Sequence, residues 1–170
     1  MNSLTGFGPI ATAESKILIL GSMPGVQSLQ KTQYYGHPRN AFWPIMAALF
    51  NDFDSIDYEA KKRMLERGGI AVWDVIQNCN RRGSLDAHIE KTSIQPNNFR
   101  CFFNEHPNIT TVFFNGATAE KLFKSFVLST LDPSINTRVY HRLPSTSPAN
   151  AGLSLHDKTR IWKSALAAVL

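Results

Sequence analysis

The sequence predicts an α/β fold, a single three-layer α/β/α domain around a central, mostly parallel sheet of four strands. The first observation is that short apolar runs alternate along the chain with segments of helical periodicity, which is typical of parallel sheets with helices on both faces. The second is the length of 170 residues with 43% hydrophobic content, enough for one substantial core and short for two. We therefore expect residues 1–170 to form one domain.

Four apolar runs are the predicted strands: residues 17–20, 70–76, 109–114 and 137–141. Glycine or asparagine borders several of them, as expected where a strand gives way to a turn. Helical spacing or helix-forming composition follows at five places: 41–50, 57–67, the stretch after Pro96, the stretch from residue 117, and 155–170. Residues 1–15 are predicted to pack loosely against the first strand, and residues 77–93 to form a long functional loop.

Three loops are predicted to leave the same edge of the sheet: residues 21–40, 115–116 and 143–150. Right-handed crossovers would bring their polar residues to one cleft at the carboxyl ends of the strands. The loops contain aromatic side chains and Arg39, together with amides and hydroxyls: Asn40, Asn115, Asn150, Ser22, Ser145, Thr146 and Ser147. This set suits a planar, hydrogen-bonding ligand with phosphates better than redox or metal chemistry.

Several classes of protein are disfavoured by what the sequence lacks. There is no Gly-x-Gly-x-x-Gly fingerprint, no Walker phosphate loop, no Gly-x-Ser-x-Gly elbow and no paired His/Cys spacing, so we expect neither a cofactor nor a metal. Cys79 and Cys101 form no Cys-x-x-Cys motif, which fits a reducing cytoplasm. No signal sequence or long apolar run indicates a membrane protein, and a monomer is the default expectation. The net charge of +5 allows a polyanionic partner without requiring one.

Four motifs carry a resemblance to a known family. GSMPG begins at residue 21, YYGHPRNAFW at residue 34, FFNG at residue 113 and LPSTSPAN at residue 143. In this order they resemble the uracil-DNA glycosylase superfamily, and most closely its hypoxanthine-DNA (deoxyinosine) glycosylase branch. The resemblance implies a monofunctional DNA glycosylase that hydrolyses the bond between a flipped, deaminated base and its sugar. Its partner would be double-stranded or single-stranded DNA containing such a base.

The resemblance also implies roles for individual residues around the base. Asn40, in the HPRN segment, is the catalytic candidate that would hold a water molecule. Tyr35 falls where the superfamily places the aromatic that stacks on the base, and Asn115 matches the amide that reads the base edge. The first motif would add substrate contacts from Gly21, Ser22, Met23 and Pro24.

Two positions depart from the pattern of related branches. Met23 stands where mismatch-specific uracil glycosylases have a water-positioning Asn, and Leu143 stands where other uracil enzymes have a His. Contacts with the DNA backbone are expected from the remaining polar residues of the loops: His37, Arg39, Ser145, Thr146, Ser147 and Asn150. These contacts, with Ser22, would be independent of sequence and sensitive to salt.

Each assignment has a structural alternative. Asn40 could cap the following helix, and Asn115 could be a turn or cap residue. Either Tyr34 or Tyr35 could pack on the rim of the core, and His37 could be a structural hydrogen-bonding residue. Asp74 is a possible wall of the pocket that orients a neighbour, with little weight as a catalytic base. Four polar residues of the long loop, Arg81, Arg82, Ser84 and Asp86, could contact DNA or merely be solvated.

Other functions also remain open at this point. The same fold could act on uracil or on mismatched thymine. Because Met23 and Leu143 replace two usual catalytic residues, the chain could instead bind damaged bases without cutting them. A hydrolase of free nucleosides is a third alternative, which would not depend on DNA phosphates. No lysine lies in the cleft motifs, so lyase chemistry through a Schiff base is disfavoured.

Overall fold

The computed structural model describes residues 3–54, 57–134 and 136–170. Its strands are β1 (Ser3–Thr5), β2 (Ile17–Gly21), β3 (Ile70–Asp74), β4 (Ile76–Asn80), β5 (Gln95–Pro96), β6 (Thr111–Asn115) and β7 (Val139–Leu143). Its α-helices are α1 (Val26–Lys31), α2 (Phe42–Phe50), α3 (Tyr58–Arg67), α4 (Phe99–Glu105), α5 (Ala117–Phe126) and α6 (Leu155–Ala167). Short 3-10 turns lie at Asp86–His88, Lys91–Ser93 and Leu128–Thr130.

The central sheet has four parallel strands in the order β3-β2-β6-β7, with helices covering both faces. This confirms the predicted three-layer α/β/α fold with its four-stranded sheet. Every residue of β2 and β3 is buried, which explains why both strands are continuous apolar runs in the sequence. Gly21 pairs with Asp74, and Asn115 pairs with Leu143, so these four residues lie together at the carboxyl edge of the sheet.

Aromatic residues fill much of the core. The largest fully buried side chains include Trp162, Phe42, Phe99, Phe113, Phe114 and Phe123. Phe42 of α2 and Trp162 of α6 meet edge to face with their ring centres 6.2 Å apart, which ties these two helices together. Thus helix α6 is fixed relative to the loop that precedes α2. No helix in the three described ranges has the length and apolar character to cross a membrane.

The prediction of an irregular loop over 77–93 is wrong for its first part. Residues 76–80 form β4, the centre of a small antiparallel sheet in the order β1-β4-β5. Gln77, Asn78 and Asn80 are polar and are not buried, so this strand carries no apolar alternation that a sequence pattern could reveal. Its partner β1 lies more than 70 residues away in the chain, with Ser3 opposite Asn80.

The leader is also more tightly held than expected. Besides strand β1, Ile10 exchanges backbone hydrogen bonds with Val72 of β3 at 2.9 and 2.8 Å. Residues 1 and 2 of that leader lie outside the described part of the chain. The predicted loop over 21–40 contains the short helix α1, whose six residues are too few to show an apolar helical period in the sequence. The predicted strand over 70–76 divides at Val75 between the two sheets, and the last strand runs two residues beyond position 141.

Candidate active site

A cavity of about 170 Å³ lies at the carboxyl edge of the central sheet. The three predicted loops converge on it, together with part of the segment that follows β4. A cavity of about 150 Å³ is large enough to hold a benzene ring in a protein interior, so this one has room for a ring-sized ligand. It is therefore the candidate active site, at the place where open α/β sheets bind ligands.

Most residues expected from the sequence to contact substrate or DNA border this cavity: Gly21, Ser22, Met23, Pro24, Tyr35, His37, Asn40, Asn115, Ser145, Thr146 and Ser147. Arg39 and Asn150 do not border it. Arg39 is exposed, and its backbone N–H donates to Nδ1 of His37 at 3.0 Å. Asp74, predicted as a possible wall of the pocket, borders the cavity, as do Ser84 and Asp86, which were predicted as possible DNA contacts.

Asp74 forms the floor of the cavity beside Gly21. A methyl group at Gly21 would overlap the Asp74 carboxyl and come within 3.4 Å of the Tyr35 hydroxyl, so only glycine fits there. Asp74 is 4% exposed, and its Oδ2 makes no hydrogen bond within the described residues. Burial, and to a smaller extent the nearby Asp86, raise the pKa of Asp74 to about 7, against the lowering effect of Arg81.

Tyr35 stands on the same floor. Its backbone has a φ of 54°, which is uncommon for a residue with a side chain and indicates that the loop holds it in place. The ring stacks on Phe42 with ring centres 4.0 Å apart and planes at 25°. Its hydroxyl is buried without a hydrogen-bond partner in the described part of the chain. Burial and then Asp74 raise the pKa of Tyr35, against the lowering effect of Asn115, so the hydroxyl keeps its proton.

Tyr34, by contrast, is buried in the core, and its hydroxyl donates to the backbone carbonyl of Gly8 at 2.9 Å.

Asn40 is partly buried at the cavity wall, immediately before helix α2. Its side-chain oxygen accepts a hydrogen bond from the backbone N–H of Phe42 at 2.9 Å. Asn40 therefore supports the start of α2 through an Asx-type turn, while Ala41 occupies the N-cap position. The amide oxygen has two lone pairs, so this contact does not prevent it from accepting a second hydrogen bond.

Both the oxygen and the nitrogen of the Asn115 side-chain amide form hydrogen bonds with Thr146. Its oxygen accepts from the backbone N–H of Thr146 at 2.8 Å, and its nitrogen donates to the Thr146 hydroxyl at 2.9 Å. Thr146 is itself buried. Asn115 thus joins the end of strand β6 to the loop that follows β7.

The loop that follows β2, residues 22–25, is called the first loop. The segment after β4 holds it from the side away from the cavity. Arg81 is 5% exposed, and its guanidinium donates to the backbone carbonyls of Pro24 at 2.5 Å and of Gly83 at 2.8 Å. It also approaches Asp86 at 4.0 Å, and Asp86 accepts the Ser22 hydroxyl at 2.7 Å. These two residues are therefore internal supports of the loop. From the sequence they were predicted only as possible DNA contacts, because nothing in a sequence distinguishes a buried arginine from an exposed one.

Met23 points into a small apolar cluster with Ile76, Cys79 and Ile89. The residue that departs from the related branches is therefore part of the packing between the first loop and the antiparallel sheet. Leu143, the other departure, is buried in the main core at the end of β7. Both substitutions have a structural explanation in this chain.

The second loop, residues 144–150, is held by helix α6. Lys158 is 5% exposed, and its ammonium donates to the carbonyl of Asn150 at 2.7 Å and more weakly to that of Ser147 at 3.4 Å. The Asn150 amide donates to the Ser145 carbonyl at 3.1 Å, and the Trp162 indole donates to the Pro144 carbonyl at 2.9 Å. The serine and threonine side chains of this loop are consequently presented on a fixed backbone.

The comparisons with known proteins agree with this geometry. The solution NMR structure of a protein of Methanosarcina acetivorans described as a candidate uracil DNA glycosylase has a TM-score of 0.80 to this chain. It shares 28% sequence identity and the match covers 99% of both chains. The family model of the uracil DNA glycosylase superfamily matches residues 7–166. The chain therefore belongs to the uracil DNA glycosylase superfamily.

Two curated relatives have a more specific name than that of the superfamily. A protein of Methanosarcina acetivorans named hypoxanthine DNA glycosylase is 34% identical over 163 residues, which cover 94% of this chain and 95% of the relative. A protein of the same name from Methanosarcina barkeri is 40% identical over 112 residues, which cover 65% of this chain and 70% of the relative.

Proposed function

We propose that this protein is a monofunctional DNA glycosylase that removes hypoxanthine from DNA and leaves an abasic site. The observation that carries the proposal is the nearly full-length similarity to a relative named hypoxanthine DNA glycosylase. The ring-sized cavity at the strand ends supports it independently, because it offers an aromatic side chain, amides and hydroxyls. The substrate would be double-stranded or single-stranded DNA, and the free thiols of Cys79 and Cys101 suit a cytoplasmic location.

The cavity fits a base that has left the helix. A glycosylase has to rotate its nucleotide out of the stack, because the bond to be cut is not accessible inside a duplex. Tyr35 would offset the lost stacking with the ring face that is not packed on Phe42. The hydroxyls of the second loop, together with Arg39, would contact phosphates on either side of the flipped nucleotide.

The reaction consumes one water molecule. Asn40 would hold that water through its amide oxygen below C1′ of the sugar. As the C1′–N9 bond breaks, its electron pair leaves with the purine and the sugar gains oxocarbenium character. The water oxygen bonds to C1′, and the proton released from the water neutralises the departing base through solvent. An amide is a poor base, so Asn40 would act mainly by positioning the water.

A single-turnover assay tests the proposal with labelled oligonucleotides that carry one hypoxanthine, uracil or mismatched thymine. Alkali then breaks the strand at each abasic site. We expect release from the hypoxanthine substrate, and a fall of about 10²- to 10⁴-fold in the rate for Asn40→Ala. Asn40→Ser keeps an oxygen that can support the start of α2, so it should lose activity while unfolding at nearly the wild-type temperature.

Asn104→Ala, at an exposed position on helix α4, is the matched control and should keep the wild-type rate. Cleavage of uracil DNA alone would replace the proposed substrate with uracil. Binding without cleavage of any substrate would identify a module that recognises damage without removing it. Full activity in both Asn40 variants would remove Asn40 from the mechanism.

A further inference from the structure

Two buried polar groups on the floor of the cavity have no hydrogen-bond partner. The side chains are those of Asp74 and Tyr35, and the atoms are Asp74 Oδ2 and the Tyr35 hydroxyl. Both side chains lie next to Gly21, where an added methyl group would overlap the Asp74 carboxyl and contact the Tyr35 hydroxyl. Leaving such a group unpaired is costly, and for that reason nearly all buried polar groups in proteins have a hydrogen-bond partner. Two orphan groups side by side at the floor of a ligand-sized cavity indicate that a ligand completes their hydrogen bonds.

The position of Asp74 is fixed by the fold. It ends strand β3 in register with Gly21, and the Asn97 side chain donates to its backbone carbonyl at 2.8 Å. These contacts fix the backbone that carries the carboxyl, and the side chain is buried at the sheet edge. A buried carboxyl without a hydrogen-bond donor is far less costly in its neutral form than as a carboxylate.

Deamination changes one feature of a base in particular. An exocyclic amino group, which donates hydrogen bonds, is replaced by an oxo group, which accepts them. A pocket floor that offers donors is thus complementary to the damaged base and opposes the undamaged one. A neutral carboxylic acid and a protonated tyrosine hydroxyl are both donors.

We propose, building on the glycosylase function above, that Asp74 in its neutral form donates a hydrogen bond to the oxo group of the flipped base. Asp74 is then a specificity-determining residue, assisted by the hydroxyl of Tyr35. The same hydrogen bond strengthens as the base departs, because negative charge spreads onto that oxygen when the C1′–N9 bond breaks. No proton has to be transferred from Asp74 for this effect.

The electrostatic surroundings of Asp74 favour this form near neutral pH. Burial, reinforced by Asp86, keeps its pKa close to 7 in the free protein, although Arg81 opposes the shift. A bound base would exclude more water and favour the neutral acid further. The other titratable groups that face Asp74 or the cavity are Tyr34, Tyr35 and His37.

The test is the pH dependence of the single-turnover rate on hypoxanthine DNA between pH 5.5 and 8.5. In the wild type the rate should fall as the pH rises above about 7, approaching tenfold per pH unit. Asp74→Asn keeps a donor of the same shape, so it should stay within about tenfold of the wild-type rate at pH 5.5 and lose the alkaline fall. Asp74→Ala should lose about 10²- to 10³-fold, the usual effect of removing one such donor.

The His37→Gln variant shows whether His37 or Asp74 causes the fall in rate at alkaline pH. The alkaline fall should persist in this variant whatever its absolute rate, because Asp74 is intact. If the fall persists in Asp74→Asn instead, or if Asp74→Asn is as inactive as Asp74→Ala, the neutral donor is overturned. Should Asp74→Ala fail to fold, the profile of Asp74→Asn decides alone.

The failure of this inference can be separated from failure of the proposed function. A wild-type protein that cuts hypoxanthine DNA, with Asp74 variants that share its pH profile, keeps the function and overturns the role of Asp74. A wild-type protein that cuts only uracil DNA overturns the hypoxanthine assignment. The pH profiles of the wild type, Asp74→Asn and His37→Gln, measured on uracil DNA, then decide the role of Asp74, because uracil also carries an oxo group in place of an amine. No cleavage of either substrate overturns both.

Discussion

Arg81 and Lys158 each place a buried cation beneath one of the two loops that border the cavity. Arg81 holds the carbonyl of Pro24 in the first loop, and Lys158 holds the carbonyl of Asn150 in the second. Both cations are 5% exposed and both act on the backbone. Each loop is thus positioned by hydrogen bonds from behind, which leaves its front free for a ligand.

The two cations differ in their counter-charges. Arg81 lies 4.0 Å from Asp86 and close enough to Asp74 to lower that carboxyl's pKa. Among the described residues no carboxylate pairs with Lys158, and burial lowers the pKa of its ammonium. The end of the cavity near Asp74 is therefore close to electrically balanced, as the neutral base of the proposed function would require. The second loop keeps an unbalanced positive charge, as suits phosphates.

The largest expected effect is the loss of stability on replacing Arg81, the cation that has carboxyl groups nearby. Arg81→Met would leave Asp86 without its partner and the Pro24 carbonyl without a donor, so we expect a loss of about 3–5 kcal/mol in the free energy of unfolding. Urea denaturation measures it. Arg82→Met, at the neighbouring exposed position, should change stability by less than about 0.5 kcal/mol. A similar small change in Arg81→Met would show that the counter-charges do not matter.

Replacing Lys158, the cation without a carboxylate partner among the described residues, should reduce stability less than replacing Arg81 does, and should reduce DNA affinity more. Lys158→Met leaves two carbonyls unpaired without stranding a charge, so we expect a loss of about 1–3 kcal/mol in the free energy of unfolding. Affinity for DNA should also fall, because the loop that would carry the phosphate contacts loses its support. The slope of log affinity against log salt should change by less than about one, because Lys158 is buried behind the loop. Fluorescence anisotropy over a salt series measures it, with the exposed Lys163→Met on the same helix as the control. An unchanged affinity would show that DNA binding does not depend on the support that Lys158 gives to this loop.

The smallest effect concerns the start of helix α6, which carries Lys158. The Ser154 hydroxyl accepts from the backbone N–H of Asp157 at 3.1 Å and caps the helix. Ser154→Ala should cost about 1 kcal/mol in the free energy of unfolding, because it removes this cap. Thermal unfolding measures the loss, and Ser164→Ala, exposed in the same helix, should show almost none. DNA affinity should be unchanged, because Lys158 stays anchored through the core contacts of Trp162.

The sequence by itself determined the central sheet and the location of the site. Residues 17–20 are apolar on both faces because β2 is covered on both sides, and that pattern is local. The glycine, asparagine and proline residues that end the strands are local signals too, so the three loops and their shared edge could be predicted. The motifs in those loops also led to the superfamily that the comparisons then confirmed.

Only the tertiary structure decided which polar residues support the site and which face a ligand. The polar strand β4 forms because β1 and β5 pair with it, and no local pattern records a partner more than 70 residues away. Arg81 is a buried support and Arg82 an exposed neighbour, although the two arginines are adjacent in sequence. Asp74 acquires its shifted pKa from burial beside Asp86, and both are consequences of packing. A sequence lists ionisable groups, whereas their solvation and their neighbours, which set their chemistry, exist only once the chain has folded.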